Sequence, residues 1–185
     1  MDGGGRPCNP YRPWNRGPFM PVDRDSPALD LPLADESATE RLAERLAAVA
    51  RAGDTIALSG SLGAGKTTFA RAFVGALCRL SGRAPEEVPS PTFTLVQTYD
   101  FPGKPVYHFD LFRIESPDDA LELGIEDAFA EGISLIEWPE RLGGWLPPER
   151  LDVALAPGRV ANARRARIVG HGGWRDRLKE LSLDG

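Results

Sequence analysis

A chain of 185 residues, 42% apolar and 26% charged, is long enough to build one well-filled core. Its formal net charge of -5 excludes a broad basic surface that would grip nucleic acid by neutralising phosphates, so any link to RNA is expected to be indirect. Cys8 and Cys78 supply neither a disulfide framework nor metal-ligand spacing. No apolar run is long enough to span a bilayer or to serve as a secretory signal, so a cytoplasmic setting without a membrane partner is expected.

Residues 1–27 are rich in Gly, Pro and Arg and show no periodicity. Such a composition buries too little surface to offset ordering entropy, so a disordered extension is expected there, with a folded domain over residues 28–185. Leu29, Leu31 and Leu33 alternate as in a short strand. Ser37-Ala-Thr-Glu40 then spells a capping box for a helix carrying Leu42, Leu46 and Val49, with Gly53 as its stop. Thr55-Ile-Ala-Leu-Ser59 reads as a strand that runs straight into Gly60-Ser-Leu-Gly-Ala-Gly-Lys-Thr67.

That octapeptide matches G-x-x-x-x-G-K-[ST], and each demanding position has a chemical reason. The glycines let consecutive backbone N–H groups turn inward around an anion. Lys66 offers a mobile positive charge for the β and γ phosphates, and the Thr67 hydroxyl is an oxygen ligand for Mg²⁺. The helix that starts here points the positive end of its dipole at the same phosphates and carries Phe69, Ala70, Phe73, Val74, Leu77 and Leu80 as the apolar stripe expected to pack on the sheet. ATP or ADP with Mg²⁺ is the expected ligand. Alternating strands and helices around this loop predict an α/β, P-loop NTPase-like three-layer fold with a mixed, mainly parallel central sheet flanked by helices.

Further along, Val88-Pro-Ser-Pro-Thr-Phe-Thr94 presents the hydroxyls of Ser90, Thr92 and Thr94 between prolines. It reads equally as a switch segment that senses the γ phosphate and as a Pro-bounded approach to a strand over residues 94–99. In Val106-Tyr-His-Phe-Asp-Leu111, alternation sets Val106, His108 and Asp110 on one face and Tyr107, Phe109 and Leu111 on the other. Asp110 thus reads either as a candidate for the carboxylate near the metal, facing the nucleotide, or as a strand-end acid that stabilises a turn, and His108 reads as a hydrogen-bonded structural residue. Ser116-Pro117-Asp-Asp119 starts a helix that Gly124 stops. Glu137 ends the apolar strand Ile133–Ile136 at the sheet's carboxyl edge and reads as the other candidate for fixing Mg²⁺ or as an exposed strand-end acid, with Trp138 walling the site, contacting a partner or filling the core. Strands over residues 151–155 and 164–169 complete the pattern. The latter bears Arg164, Arg165 and Arg167, which form a solvated face or bring one guanidinium toward phosphate.

In order, GSLGAGKTT, SPTFTLV, VYHFDLFR and LIEWPERLGGWLP resemble the bacterial TsaE family, also called YjeE, over residues from about 33 to 170. The resemblance implies a P-loop ATPase required for making threonylcarbamoyladenosine in tRNA. It would act with TsaD and TsaB, reset that complex by hydrolysis, and meet tRNA only through it. It further implies that Leu62, Gly63, Ala64, Gly65, Lys66, Thr67 and Thr68 hold the phosphates, and that Thr67 and Glu137 ligate Mg²⁺. Asp110 would act with Lys66 in catalysis, with Trp138 beside them. Glu36 and Thr39 would lie beside the adenine, and Asn162 in a loop at the nucleotide's edge. Two other readings of the same loop are a small-molecule kinase, with Arg141 and Arg150 flanking a lid-like stretch, and a nucleotide-gated interaction module in which binding alone matters.

Overall fold

The computed structural model describes residues 28–84 and 86–181, so the disordered extension expected over residues 1–27 lies outside the described residues. In chain order the elements are β1 (Ala28–Leu33), α1 (Glu36–Val49), β2 (Thr55–Ser59), α2 (Lys66–Leu80), β3 (Val96–Tyr99) and β4 (Val106–Asp110). Then come α3 (Asp119–Glu122), α4 (Ile125–Glu131), β5 (Ile133–Glu137), a 3-10 segment Pro139–Trp145, β6 (Leu151–Pro157), β7 (Arg164–Gly170) and α5 (Trp174–Glu180).

Among the described residues the strands make one sheet, ordered β1-β7-β6-β2-β5-β4-β3. The central strands β4, β5, β2 and β6 are mutually parallel, while β3 runs antiparallel on β4 and β7 antiparallel between β6 and β1. The two innermost strands, TIALS and ISLIE, are buried along nearly their whole length, the pattern of parallel strands covered on both faces. Their register sets Leu58 opposite Glu137 and Glu137 opposite Asp110, so the phosphate loop and both acids leave the sheet from one edge.

One face of the sheet is covered by α1, α2 and α5, whose Leu42, Leu46, Phe69, Phe73, Leu77 and Trp174 join Ile56, Leu58, Leu135 and Val153 in a single core. Burying each large apolar side chain there stabilises the fold by about 1.5–3 kcal/mol. On the other face a smaller core gathers Phe109, Leu111, Ile125, Phe129, Ile136 and Leu142. The strand alternation read from VYHFDL thus holds: Val106 belongs to the first core, and Phe109 and Leu111, with Tyr107 packed against them, to the second.

Three local expectations are corrected. The N-cap of α1 is Asp35, whose carboxylate accepts from the Ala38 N–H at 2.8 Å, so Ser37 and Glu40 lie inside the helix rather than boxing its start. A β-region φ/ψ at Asp35 lets its short acid reach the orphan N–H three residues on, which an equivalent Ser37 already in helical geometry does not do. The strand expected from residue 94 begins at Val96, because Leu95 folds back to donate to the Pro91 carbonyl at 2.6 Å with φ 64°. The helix expected from Ser116 begins only at Asp119 and is one turn, α3; Gly124, in a left-handed conformation, ends it as expected and a second short helix, α4, follows.

Candidate nucleotide site

The phosphate loop leaves β2 at Gly60, where φ is 137° and any Cβ would stand 2.2 Å from the Leu155 carbonyl oxygen. Only glycine fits between this loop and β6. Gly63 and Gly65 also have positive φ but face open space, so their role is to turn N–H groups inward rather than to avoid a clash. Gly65 caps α2 without any side-chain hydrogen bond, leaving the first-turn N–H groups of a 15-residue helix for an anion.

Lys66 is buried and donates to the carbonyls of Gly60 at 2.7 Å and Ser61 at 3.0 Å, with its ammonium 4.0 Å from the centre of the Trp138 ring. Burial pushes its pKa below the usual lysine range, and the carboxylates of Glu137, Asp110 and Glu140 oppose that shift. The next residue, Thr67, donates from its hydroxyl to the Glu137 carboxylate at 2.9 Å. Glu137 also accepts from His108 Nε2 at 3.0 Å, and both of these residues are buried. Thr67 and Glu137, two oxygen-bearing side chains from α2 and the end of β5, thus meet beside one buried cation.

Asp110 ends β4 one strand farther out. Its Oδ2 accepts from Thr92 at 2.8 Å and from Ser90 at 3.4 Å, and its Oδ1 accepts from the Phe112 N–H at 3.1 Å. The Ser90 and Thr92 hydroxyls are 2.7 Å apart, so the proline-bounded segment closes onto this acid, while Thr94 is exposed. Leu95, just before β3, and Trp138, just after Glu137, both hold φ near +60°, a conformation costly for large side chains. At Leu95 the twist aims a carbonyl at the Asp110 N–H, 3.0 Å away.

A cavity of about 230 Å³ joins these groups; Leu62, Gly63, Gly65, Lys66, Thr67 and Thr68 line one side, and Ser90, Thr92, Asp110, Phe112, Glu137 and Trp138 the other. Ala64 is buried, near Gly60. Glu36 is exposed at the start of α1, Thr39 is buried on the same helix, and Asn162 is exposed with φ 64° between β6 and β7; none of the three lines the cavity. Arg164 brings the β6–β7 connection to the phosphate loop by donating to the Gly63 carbonyl at 3.3 Å. Sequence reading passed over Phe112, whose ring lies 4.9 Å from that of Trp138 and closes the cavity wall. Its signal was its place two residues after Asp110, where its N–H holds the acid. A larger depression of about 460 Å³ lies on the α1–α5 side, lined by residues such as Val49, Arg51 and Leu181, away from these groups.

Residues 33–166 match the family described as Threonylcarbamoyl adenosine biosynthesis protein TsaE. The tRNA threonylcarbamoyladenosine biosynthesis protein TsaE of Rickettsia felis is 39% identical over 123 residues, covering 66% of this chain and 70% of that protein. The protein of the same name from Bacillus subtilis is 38% identical over 118 residues, covering 63% and 70%. The crystal structure of Bacillus subtilus YdiB superposes with a TM-score of 0.67 at 29% identity, covering 84% of this chain and 93% of that one. The matched span takes in the phosphate loop, both acidic strand ends and the strands between them, and on that extent the chain belongs to the TsaE family.

Proposed function

We propose that this protein binds ATP with Mg²⁺ in the cavity at the sheet's carboxyl edge and hydrolyses it as the ATPase component of tRNA threonylcarbamoyladenosine biosynthesis. The observation that carries the reading is the 2.9 Å contact between the Thr67 hydroxyl and the Glu137 carboxylate. These are hard oxygen donors, one at the start of the phosphate-loop helix and one at a neighbouring strand end, where a Mg²⁺ site on a nucleotide needs them. The names of the relatives supply the pathway.

The residues present fit both ATP and the metal. Thr67 and Glu137 would hold Mg²⁺, which supplies charge neutralisation on the phosphates when bound. The loop amides from Leu62 to Thr68 surround the phosphates. Lys66 exchanges the Gly60 and Ser61 carbonyls for phosphate oxygens, a short move for an ammonium already at the loop's mouth. Asp110, held by Thr92, Ser90 and the Phe112 N–H, orients the attacking water and accepts its proton. Because Ser90 and Thr92 belong to the proline-bounded segment, a change at Asp110 reaches the surface and signals the nucleotide state.

Among the described residues, none that lines the cavity is an arginine. Turnover is accordingly slow for the isolated protein and rises when TsaD and TsaB assemble with it, resetting the complex after each round; tRNA is met only through them. The cytoplasmic setting belongs to the same proposal; among the described residues no helix is long and apolar enough to cross a membrane. The test is Mg²⁺-dependent ATP hydrolysis with and without TsaD and TsaB, with Lys66→Ala as the control that loses nucleotide binding. Equal turnover in both conditions, or nucleotide affinity unchanged in Lys66→Ala, rejects the reading.

A further inference from the structure

His108 is fully buried on β4, on the face it shares with Asp110, and among the described residues its imidazole hydrogen-bonds Glu137 alone, at 3.0 Å from Nε2. Its Nδ1 is buried without a partner. A carboxylate accepts, so Nε2 donates to it. That hydrogen bond, with the ring fully buried, fixes the imidazole's orientation. The ring donates to Glu137 Oε1, which also receives the Thr67 hydroxyl at 2.9 Å, while Oε2 lies 3.2 Å from that hydroxyl, on a residue that lines the cavity.

Resting on the nucleotide–Mg²⁺ reading above, we infer that His108 is a positioning residue for the metal: it locks the Glu137 carboxylate so that one oxygen is presented beside Thr67. A carboxylate at a strand end rotates about its terminal torsion unless something holds it, and a buried N–H donor on the adjacent strand does so without adding a fixed charge. Thr67 alone does not suffice, because its hydroxyl is itself a free rotor on a half-buried side chain.

The experiment is calorimetric titration of ADP, which removes turnover from the measurement, into the full chain in EDTA and over a range of Mg²⁺ concentrations. Wild type, His108→Gln and His108→Leu are compared. Loss of an outer-shell hydrogen bond costs roughly tenfold or more in metal affinity. His108→Leu is therefore expected to bind ADP as wild type does in EDTA but to need about tenfold more Mg²⁺ for the metal-dependent gain, and His108→Gln, which keeps an N–H donor, to recover most of it. An unchanged Mg²⁺ midpoint in His108→Leu overturns the inference. So does an equal loss of ADP affinity in EDTA, which marks a merely structural role. Wild type that binds ADP without any response to Mg²⁺ overturns the metal reading and this inference together, whereas a response in wild type that both variants share overturns this inference alone. Nitrogen-15 NMR of wild type needs no variant to fold, and the chain has only two histidines to assign. His108 Nε2 is expected to carry the hydrogen-bonded proton with and without Mg²⁺–ADP, and an Nε2 without a proton sinks the proposal.

Discussion

Asp110 receives three hydrogen bonds, two from the Ser90 and Thr92 hydroxyls of the proline-bounded segment and one from the Phe112 backbone N–H. A carboxylate held this way is aimed, and its removal should affect chemistry more than binding, since Lys66 and the loop amides do not depend on it. For Asp110→Ala we expect nucleotide affinity by calorimetry within a few-fold of wild type and hydrolysis down by about a hundredfold or more; turnover at the wild-type rate would strip Asp110 of its part. Tyr99 offers a separate residue-scale test, away from the site. Burial pushes its phenol up from 10.0 to about 12, and its hydroxyl is buried without a partner. The folded state therefore keeps the phenolic proton that the unfolded chain gives up near pH 10, so stability is full below pH 10 and falls as pH rises toward 12. Tyr99→Phe should be as stable as wild type or slightly more so at neutral pH and should flatten that alkaline decline. Denaturant midpoints across the range would show it, and parallel curves for the two proteins would refute the assignment.

At the scale of elements, α5 lies beyond the family match yet is tied into the main core through Trp174 and Leu178. Arg177 clamps it to the α1–β2 turn: its guanidinium donates to both oxygens of Asp54, at 2.6 and 2.7 Å, and to the Val49 carbonyl at 3.1 Å, and it packs 3.9 Å over the Trp174 ring. Both charged partners are close to fully buried, so removing one strands the other. Arg177→Ala should cost roughly 3 kcal/mol of stability, read as a lower urea midpoint at constant slope, with nucleotide affinity unchanged. A loss of affinity equal to the loss of stability would mean that this end of the sheet communicates with the site. Neither the pairing of Arg177 with Asp54 nor that of His108 with Glu137 was legible in the chain, because each joins residues on different elements, 123 and 29 positions apart.

For the whole molecule, a site built across α2, β4 and β5 couples ligand binding to the global fold. At a hundred times its dissociation constant, Mg²⁺–ADP should add about 2.7 kcal/mol and raise Tm by roughly 5–10 °C, measured calorimetrically; no shift at saturating nucleotide would contradict the site as drawn. The amino-acid order alone was enough for the phosphate loop, the alternating face of VYHFDL and the acid that ends ISLIE, since each is written in contiguous residues whose backbone period or local turn chemistry decides the outcome. The start of α1 was misread by two residues, because Asp35 and Ser37 are both competent caps and local pattern does not choose between them. Tertiary structure alone decided which hydroxyls close on Asp110, that Phe112 completes the wall, and that His108 holds Glu137. These depend on strand order and register, and parallel neighbours such as β4 and β5 are set by packing between segments distant in the chain, which no local period records.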